Sequence, residues 1–218
     1  MEILVGRQPI FDSDLQVCAY ELLFRGHRSE TTAEFDDADL ATDRVIDNTL
    51  RGIGLRNLVG DLPAFINLTR RALFSTEALE LNKDDVVLEV LEDIEINHEL
   101  MERLRCLSRD GFRIALDDFA CDPDHDELVA IADFVKIDVH MFDSDTLARH
   151  VKSLRRHDVK LLAEKIESPA QMTLCQSLGF DYFQGYLLAE PTTVIHRRIP
   201  TEAPDPVLRA GSAATDLA

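Results

Sequence analysis

No run of about 18 apolar residues occurs in the chain, which removes a membrane-spanning helix from the candidates. Met1-Glu2-Ile3 lacks the basic start and long apolar stretch of a secretory leader, so the sequence reads as that of a cytoplasmic protein with no membrane association. Cysteine is sparse: Cys18, Cys106, Cys121 and Cys175 stand far apart, with no Cys-x-x-Cys pair. That excludes a disulfide framework and a zinc knuckle, and predicts reduced thiols held mostly in the core. Positive charge is also scarce. The chain has 23 Lys and Arg against 41 Asp and Glu, and its net charge of −18 repels a DNA or RNA polymer. A small anionic ligand stays compatible where metal ions or a few cations offset the charge locally. No internal repeat of fixed period is visible.

What is present is a large apolar fraction, 45% of 218 residues, enough to bury a sizeable core in one domain. Short runs rich in Val, Ile and Phe alternate with segments of helical period, the pattern of βα units around a parallel sheet, closed as a barrel or left open. The expected strands are Val17 to Phe24, Ala64 to Leu68, Val86 to Leu91, Arg113 to Leu116, Phe134 to Ile137, Lys160 to Ala163 and Tyr182 to Tyr186. Leu100, Leu104 and Leu107 recur at helical spacing between an Asn97 cap and a Gly111 stop, and Leu147, Val151 and Leu154 repeat that pattern. Ser168-Pro169 opens a further helix that Gly179 ends. Helices of about a dozen residues are expected between strands. The composition changes after Pro191, where prolines and small residues replace apolar periodicity. The folded domain is therefore expected over residues 1–195, with 196–218 a flexible tail or the stub of a linker.

Buried parallel strands should be almost wholly apolar, yet polar residues fall on or at the end of strand after strand. Glu21, Asn67, Glu89, Asp117 with Asp118, Lys136, Glu164 and Gln184 form this series. Any one of them alone is more often a helix cap, a turn residue or a surface charge. Recurrence on nearly every strand is poorly explained by coincidence. In a barrel, the carboxyl ends of the strands meet on one face, so these side chains would converge in a small cup. Several carboxylates there need cations, and oxygen donors suit Mg²⁺, Mn²⁺ or Ca²⁺ better than zinc.

These residues resemble the EAL domains, a family that hydrolyses or binds cyclic di-GMP. The similarity covers about residues 5 to 191. It runs in order through Gln8-Pro9-Ile10, Glu21-Leu22-Leu23-Phe24-Arg25 in place of Glu-Ala-Leu-x-Arg, Asn67, Glu89 with Glu92, Asp117-Asp118-Phe119 and Lys136-Ile137-Asp138. It continues through Ala163-Glu164 with Glu167, and Gln184-Gly185 with Pro191. The resemblance implies an EAL-type (β/α)8 barrel with Mg²⁺ or Mn²⁺ as cofactor. Glu21, Asn67, Glu89 and Asp117 would hold one ion, and Asp117 with Asp118 a second. Lys136 and Glu164 would position or deprotonate the attacking water, Gln184 would orient the ligand, Arg25 would contact a phosphate and Gln8 a guanine. Glu92 and Glu167 would anchor the loop after Phe119. The implied reaction opens cyclic di-GMP to linear pGpG, and a homodimer or a protein partner is compatible with the family.

One segment departs from the family pattern. Active members continue Asp-Asp-Phe with Gly-Thr-Gly, whereas this chain has Ala120-Cys121-Asp122-Pro123-Asp124-His125-Asp126. Loss of both glycines bears on the placement of Asp118, and so on the second ion and on turnover. The alternating Asp122, Asp124 and Asp126 do not make an EF-hand, because Glu127 stands where that loop needs glycine and Asp133 where it needs a bidentate Glu. The opening Gly6-Arg7-Gln8-Pro9-Ile10-Phe11 and this altered loop resemble the subgroup often followed by an HDOD domain, which these 218 residues do not include. Three functions are expected in descending order: a metal-dependent cyclic di-GMP phosphodiesterase, a catalytically weak or inactive domain acting as a cyclic di-GMP receptor or protein-binding adaptor, and an unrelated metal-dependent barrel enzyme.

Overall fold

A computed structural model describes residues 2–24, 46, 53–75, 81–92, 94–117 and 126–197. Arg25, Asp118, Cys121, the acidic stretch up to His125 and everything after Arg197 lie outside the described residues. In chain order the elements are β1 (Glu2–Phe11), β2 (Val17–Phe24), α1 (Leu55–Val59), β3 (Ala64–Leu68), α2 (Arg70–Phe74), β4 (Val86–Val90), α3 (His98–Arg109) and β5 (Arg113–Leu116). They continue with α4 (Asp126–Val129), β6 (Phe134–Asp138), α5 (Ser144–Leu154), β7 (Lys160–Glu164), α6 (Pro169–Leu178), β8 (Tyr182–Phe183) and β9 (Thr192–Arg197).

Strands β2 to β8 pair in parallel, each with the next. β1 closes the ring, running antiparallel to both β2 and β8. The result is an eight-stranded closed barrel with helices outside it, as the family resemblance implies. β9 lies antiparallel on the amino-terminal half of β1, from Glu2↔Arg197 to Arg7↔Thr192.

Two strands were absent from the sequence-based expectation. β1 carries Gly6, Arg7 and Pro9, residues that weaken a strand pattern. Pro9 is tolerated for a reason the pairing supplies. Opposite it, Tyr20 donates its N–H away to Pro63 O, so the pair is not hydrogen-bonded, and Pro9 faces the edge between the β9 contact at Arg7 and the β8 contact at Phe11. β9 follows Pro191, where the composition change had suggested irregular chain. β8 is shorter than expected, because the chain turns at Gly185, whose carbonyl accepts from the N–H groups of Leu188 and Ala189. Helix lengths also differ: α3, α5 and α6 have 12, 11 and 10 residues, but α1 and α2 have five each and α4 has four.

Caps behave as read from sequence. The Asn97 side chain accepts from Leu100 N, Ser168 and Gln171 form a full capping box ahead of Pro169, and Gly179 ends α6 in the left-handed conformation. Leu100, Leu104 and Leu107 of α3 are fully buried against the barrel wall, each contributing about 1.5–3 kcal/mol by removal from water. The thiols do not all lie in the core: Cys175 is buried, Cys18 half-buried and Cys106 exposed. Among the described residues no helix is long and apolar enough to cross a membrane.

The apolar residues divide into two clusters. The larger fills the shell between strands and helices. The smaller, Ile10, Ala19, Phe65, Val87, Ala115 and Leu162, lies inside the barrel, joined by Phe134 and Tyr182. The ring of Phe134 meets that of Phe65 edge-on at 5.1 Å and that of Tyr182 at 5.8 Å, so this layer forms a packed floor.

Candidate functional site

Side chains on a strand alternate between faces, so the residue two positions beyond each floor residue also points inward. On β2 to β8 that step goes from Ala19 to Glu21, Phe65 to Asn67, Val87 to Glu89, Ala115 to Asp117, Phe134 to Lys136, Leu162 to Glu164 and Tyr182 to Gln184. β1 runs the other way, and the same step leads back from Ile10 to Gln8. Each of the eight barrel strands, or the position that follows it, thus places one polar residue in a ring directly above the apolar floor. Apart from Asp118, which lies outside the described residues, the strand-end residues singled out in the sequence are members of this ring, and Gln8 completes it.

At its centre is the ammonium of Lys136, which is 1% exposed. Its Nζ is 2.7 Å from Glu89 Oε1, 2.7 Å from Asp117 Oδ1, 3.0 Å from Glu164 Oε1 and 3.5 Å from Glu21 Oε1. Glu21 is fixed further by Gln184 Nε2, which donates to Oε2 at 2.7 Å, and by Asn67 Nδ2, which donates to Oε1 at 3.3 Å. Gln8 Nε2 donates to Ala189 O at 3.2 Å and ties β1 to the segment after β8. Above the ring is a cavity of about 400 Å³, bordered by Gln8, Glu21, Asp117, Glu164, Lys165 and Tyr186 among others. That volume suits a small molecule, for which pockets of roughly 300–1,000 Å³ are usual.

Four carboxylates and one ammonium cannot all be ionised without a surplus of negative charge. Burial pushes the Glu89 carboxyl well above its ordinary range, and the neighbouring Lys136 only partly opposes this. Burial likewise raises Glu164 to about 8 against the pull of Lys136. Burial also disfavours the charge on Lys136, but Glu164, Glu21, Glu89 and Asp117 outweigh it and hold the ammonium protonated. A carboxyl raised on folding binds its proton more tightly in the native state. Its contribution to stability is complete below its ordinary value of 4.5 and is lost as pH rises through about 8. Glu164→Gln mimics the protonated form. In chelator, the melting midpoint of the variant should therefore gain on that of the wild type between pH 4.5 and about 8. A constant difference across that interval would show that Glu164 is not raised.

The donor set matches a hard cation in kind. Asn67 Oδ1 and Glu89 Oε2 are buried oxygens without a hydrogen-bond partner, next to Glu21 and Lys136 respectively. Glu21, Glu89 and Asp117 all lie within 3.5 Å of one cationic nitrogen, so they can address a single cation, although among the described residues no three carboxylates are arranged as a finished metal centre. Glu92 is exposed, as is Glu167, which borders the cavity and stands 3.9 Å from His140 Nε2. The loop they would anchor, Asp118 and Arg25 lie outside the described residues.

Sequence reasoning gave no role to Asp138, Lys165 or His140. Asp138 and Lys165 carry the same signal as the others, a charge at the carboxyl end of a strand. Asp138 accepts from His140 N at 2.8 Å through Oδ1 and pairs with Lys165 Nζ at 2.6 Å through Oδ2.

Comparison with known proteins places this architecture. Residues 7–191 match the EAL domain. The chain is 30% identical over 200 residues to the cyclic di-GMP phosphodiesterase CdgJ of Vibrio cholerae, a match covering 91% of this chain and 46% of CdgJ. It is 34% identical over 202 residues to the protein YuxH of Bacillus subtilis, covering 89% of this chain and 48% of YuxH. The chain therefore spans about half the length of these relatives. Its fold superposes with a TM-score of 0.71 and 25% identity on the crystal structure of Bacillus subtilis YkuI, a protein with an EAL domain in complex with cyclic di-GMP and calcium, covering 87% of this chain and 56% of that one. With the barrel, the polar ring and a family match across most of its length, the chain belongs to the EAL domain family.

Proposed function

We propose that the protein is a metal-dependent phosphodiesterase that hydrolyses cyclic di-GMP to linear pGpG. The observation that carries this reading is the convergence of Glu21, Glu89, Asp117 and Glu164 on Lys136 at the bottom of a ligand-sized cavity. The similarity to CdgJ and to a YkuI structure holding cyclic di-GMP and calcium supports the substrate and the need for a divalent cation.

Glu21, Asn67, Glu89 and Asp117 would hold one Mg²⁺ or Mn²⁺ ion, with Asp117 and Asp118 contributing to a second. Such ions acidify a coordinated water and withdraw charge from a phosphate. The remaining chemistry falls to the chain. Glu164, raised to about 8, is suited to take a proton from the attacking water near neutral pH. Lys136, kept charged by its neighbours, would hold that water and the developing negative charge. Gln184 fixes the orientation of Glu21 and is a ligand contact in this scheme, with Gln8 at a guanine and Arg25 at a phosphate. Glu92 and Glu167 would anchor the loop that carries Asp118.

Incubating the purified protein with cyclic di-GMP and Mg²⁺ or Mn²⁺ should give pGpG. Glu21→Ala, which removes the group shared by Asn67, Lys136 and Gln184, should lower the rate by at least about a hundredfold. Equal product from Glu21→Ala would refute the assignment. The replacement of the family's Gly-Thr-Gly by Ala120-Cys121-Asp122 favours a second reading, a cyclic di-GMP receptor. Tight binding with the nucleotide recovered intact would select it.

A further inference from the structure

An acidic cup must still attract an anionic ligand, and the cations along its wall decide how. Among the described residues that border the cavity only Lys136 and Lys165 are basic. Lys136 is enclosed by four carboxylates and 1% exposed, whereas the Lys165 side chain is 55% exposed at the mouth.

The backbone of Lys165 is unusual. Its φ is +57°, a left-handed conformation in which a side chain is costly and glycine is the favoured occupant. Four contacts hold it there. Its Nζ pairs with Asp138 Oδ2 at 2.6 Å, His140 Nε2 donates to its carbonyl at 2.8 Å, and on its two sides Val139 N bonds Glu164 O and Ile166 N bonds Gln184 O. Asp138 is itself fixed by accepting from His140 N. A lysine retained in a conformation suited to glycine, directly after Glu164 and facing the cavity, is a local strain of the kind that gathers at ligand sites.

Resting on the assignment of cyclic di-GMP as ligand, we propose that Lys165 is a phosphate-contacting residue of this site. Its ammonium, stationed at the mouth by Asp138, moves on to a phosphate oxygen of the incoming dinucleotide. This gives the cup an exposed cation just after β7 that does not depend on Lys136.

The test is calorimetric titration of the full chain with cyclic di-GMP in calcium-containing buffer, across a range of salt concentrations. Lys165→Gly relieves the backbone strain while deleting the charge, so it should stay folded. It should lose roughly tenfold in affinity and show a shallower salt dependence, and Lys165→Gln should do the same. Lys165→Arg should retain most of the affinity. Wild-type affinity and salt dependence in Lys165→Gly would overturn the proposal and leave the lysine in a purely structural role beside Asp138. So would an equal loss in Lys165→Arg. Absence of binding by the wild type would instead remove the ligand assignment, and this proposal with it.

Discussion

Lys136→Met should destabilise the protein by about 3–5 kcal/mol in chelator, the range seen when one partner of a buried ion cluster is deleted. For a domain of this size that corresponds to a fall of roughly 10 °C in melting midpoint. Glu21, Glu89, Asp117 and Glu164 share that ammonium, and Glu89 is fully buried. Removing it leaves them facing one another across a few ångströms of low-dielectric interior. Some will take up protons, which limits the loss but moves their titration further up. Adding Glu89→Gln to the variant should restore part of the stability, because it holds the most buried of these groups neutral without the uptake of a proton. A melting midpoint for Lys136→Met within about 2 °C of the wild type would mean that the cluster is not held together by this cation.

Gly185→Ala should cost about 3 kcal/mol or more, although it adds one methyl group. A Cβ at this position would stand 2.2 Å from both Ile166 N and Ile166 O, and the residue's φ of +154° also disfavours a side chain. Neither obstacle can swing aside, since both are main-chain atoms that hydrogen-bond the same segment: Ile166 N donates to Gln184 O and Ile166 O accepts from Leu187 N. Relief requires the chain after β7 to separate from the chain after β8. That separation would pull Gln184 from Glu21, so activity should fall together with stability. Gly60→Ala is a control, because its φ is +69° with nothing within 4 Å of the added carbon. It should cost only about 1 kcal/mol from backbone strain. Denaturant unfolding of both variants tests the contrast, and equal losses would show that the contact with Ile166 yields easily.

The sequence made the ring legible because a polar residue at the end of an apolar strand is an exception with few explanations, and Glu21, Asn67, Glu89, Asp117, Lys136, Glu164 and Gln184 all carry that mark. The helix signals of Asn97, Ser168 and Gly179 were equally plain, since capping depends on a few adjacent residues. β1 and β9 were not legible. β9 is held by pairing across more than 180 residues of sequence, as at Arg7↔Thr192, and neither it nor β1, which also pairs with the nearby β2, presents an alternating pattern of its own. The short α1, α2 and α4 have too few turns to show a period. Lys165 shares the strand-end charge, but what sets it apart is a backbone angle, and a lysine carries no sequence mark of a left-handed conformation.

The floor made by Ile10, Phe65, Val87, Phe134, Leu162 and Tyr182 has a further consequence. Among the described residues, a chamber stoppered at its base opens on the side away from that floor. A ligand entering on that side would leave by it too, and a molecule that lingers inside bars the next from coming in. Exchange at this protein is thus a matter of taking turns, and the side chains at the threshold govern departure as much as arrival.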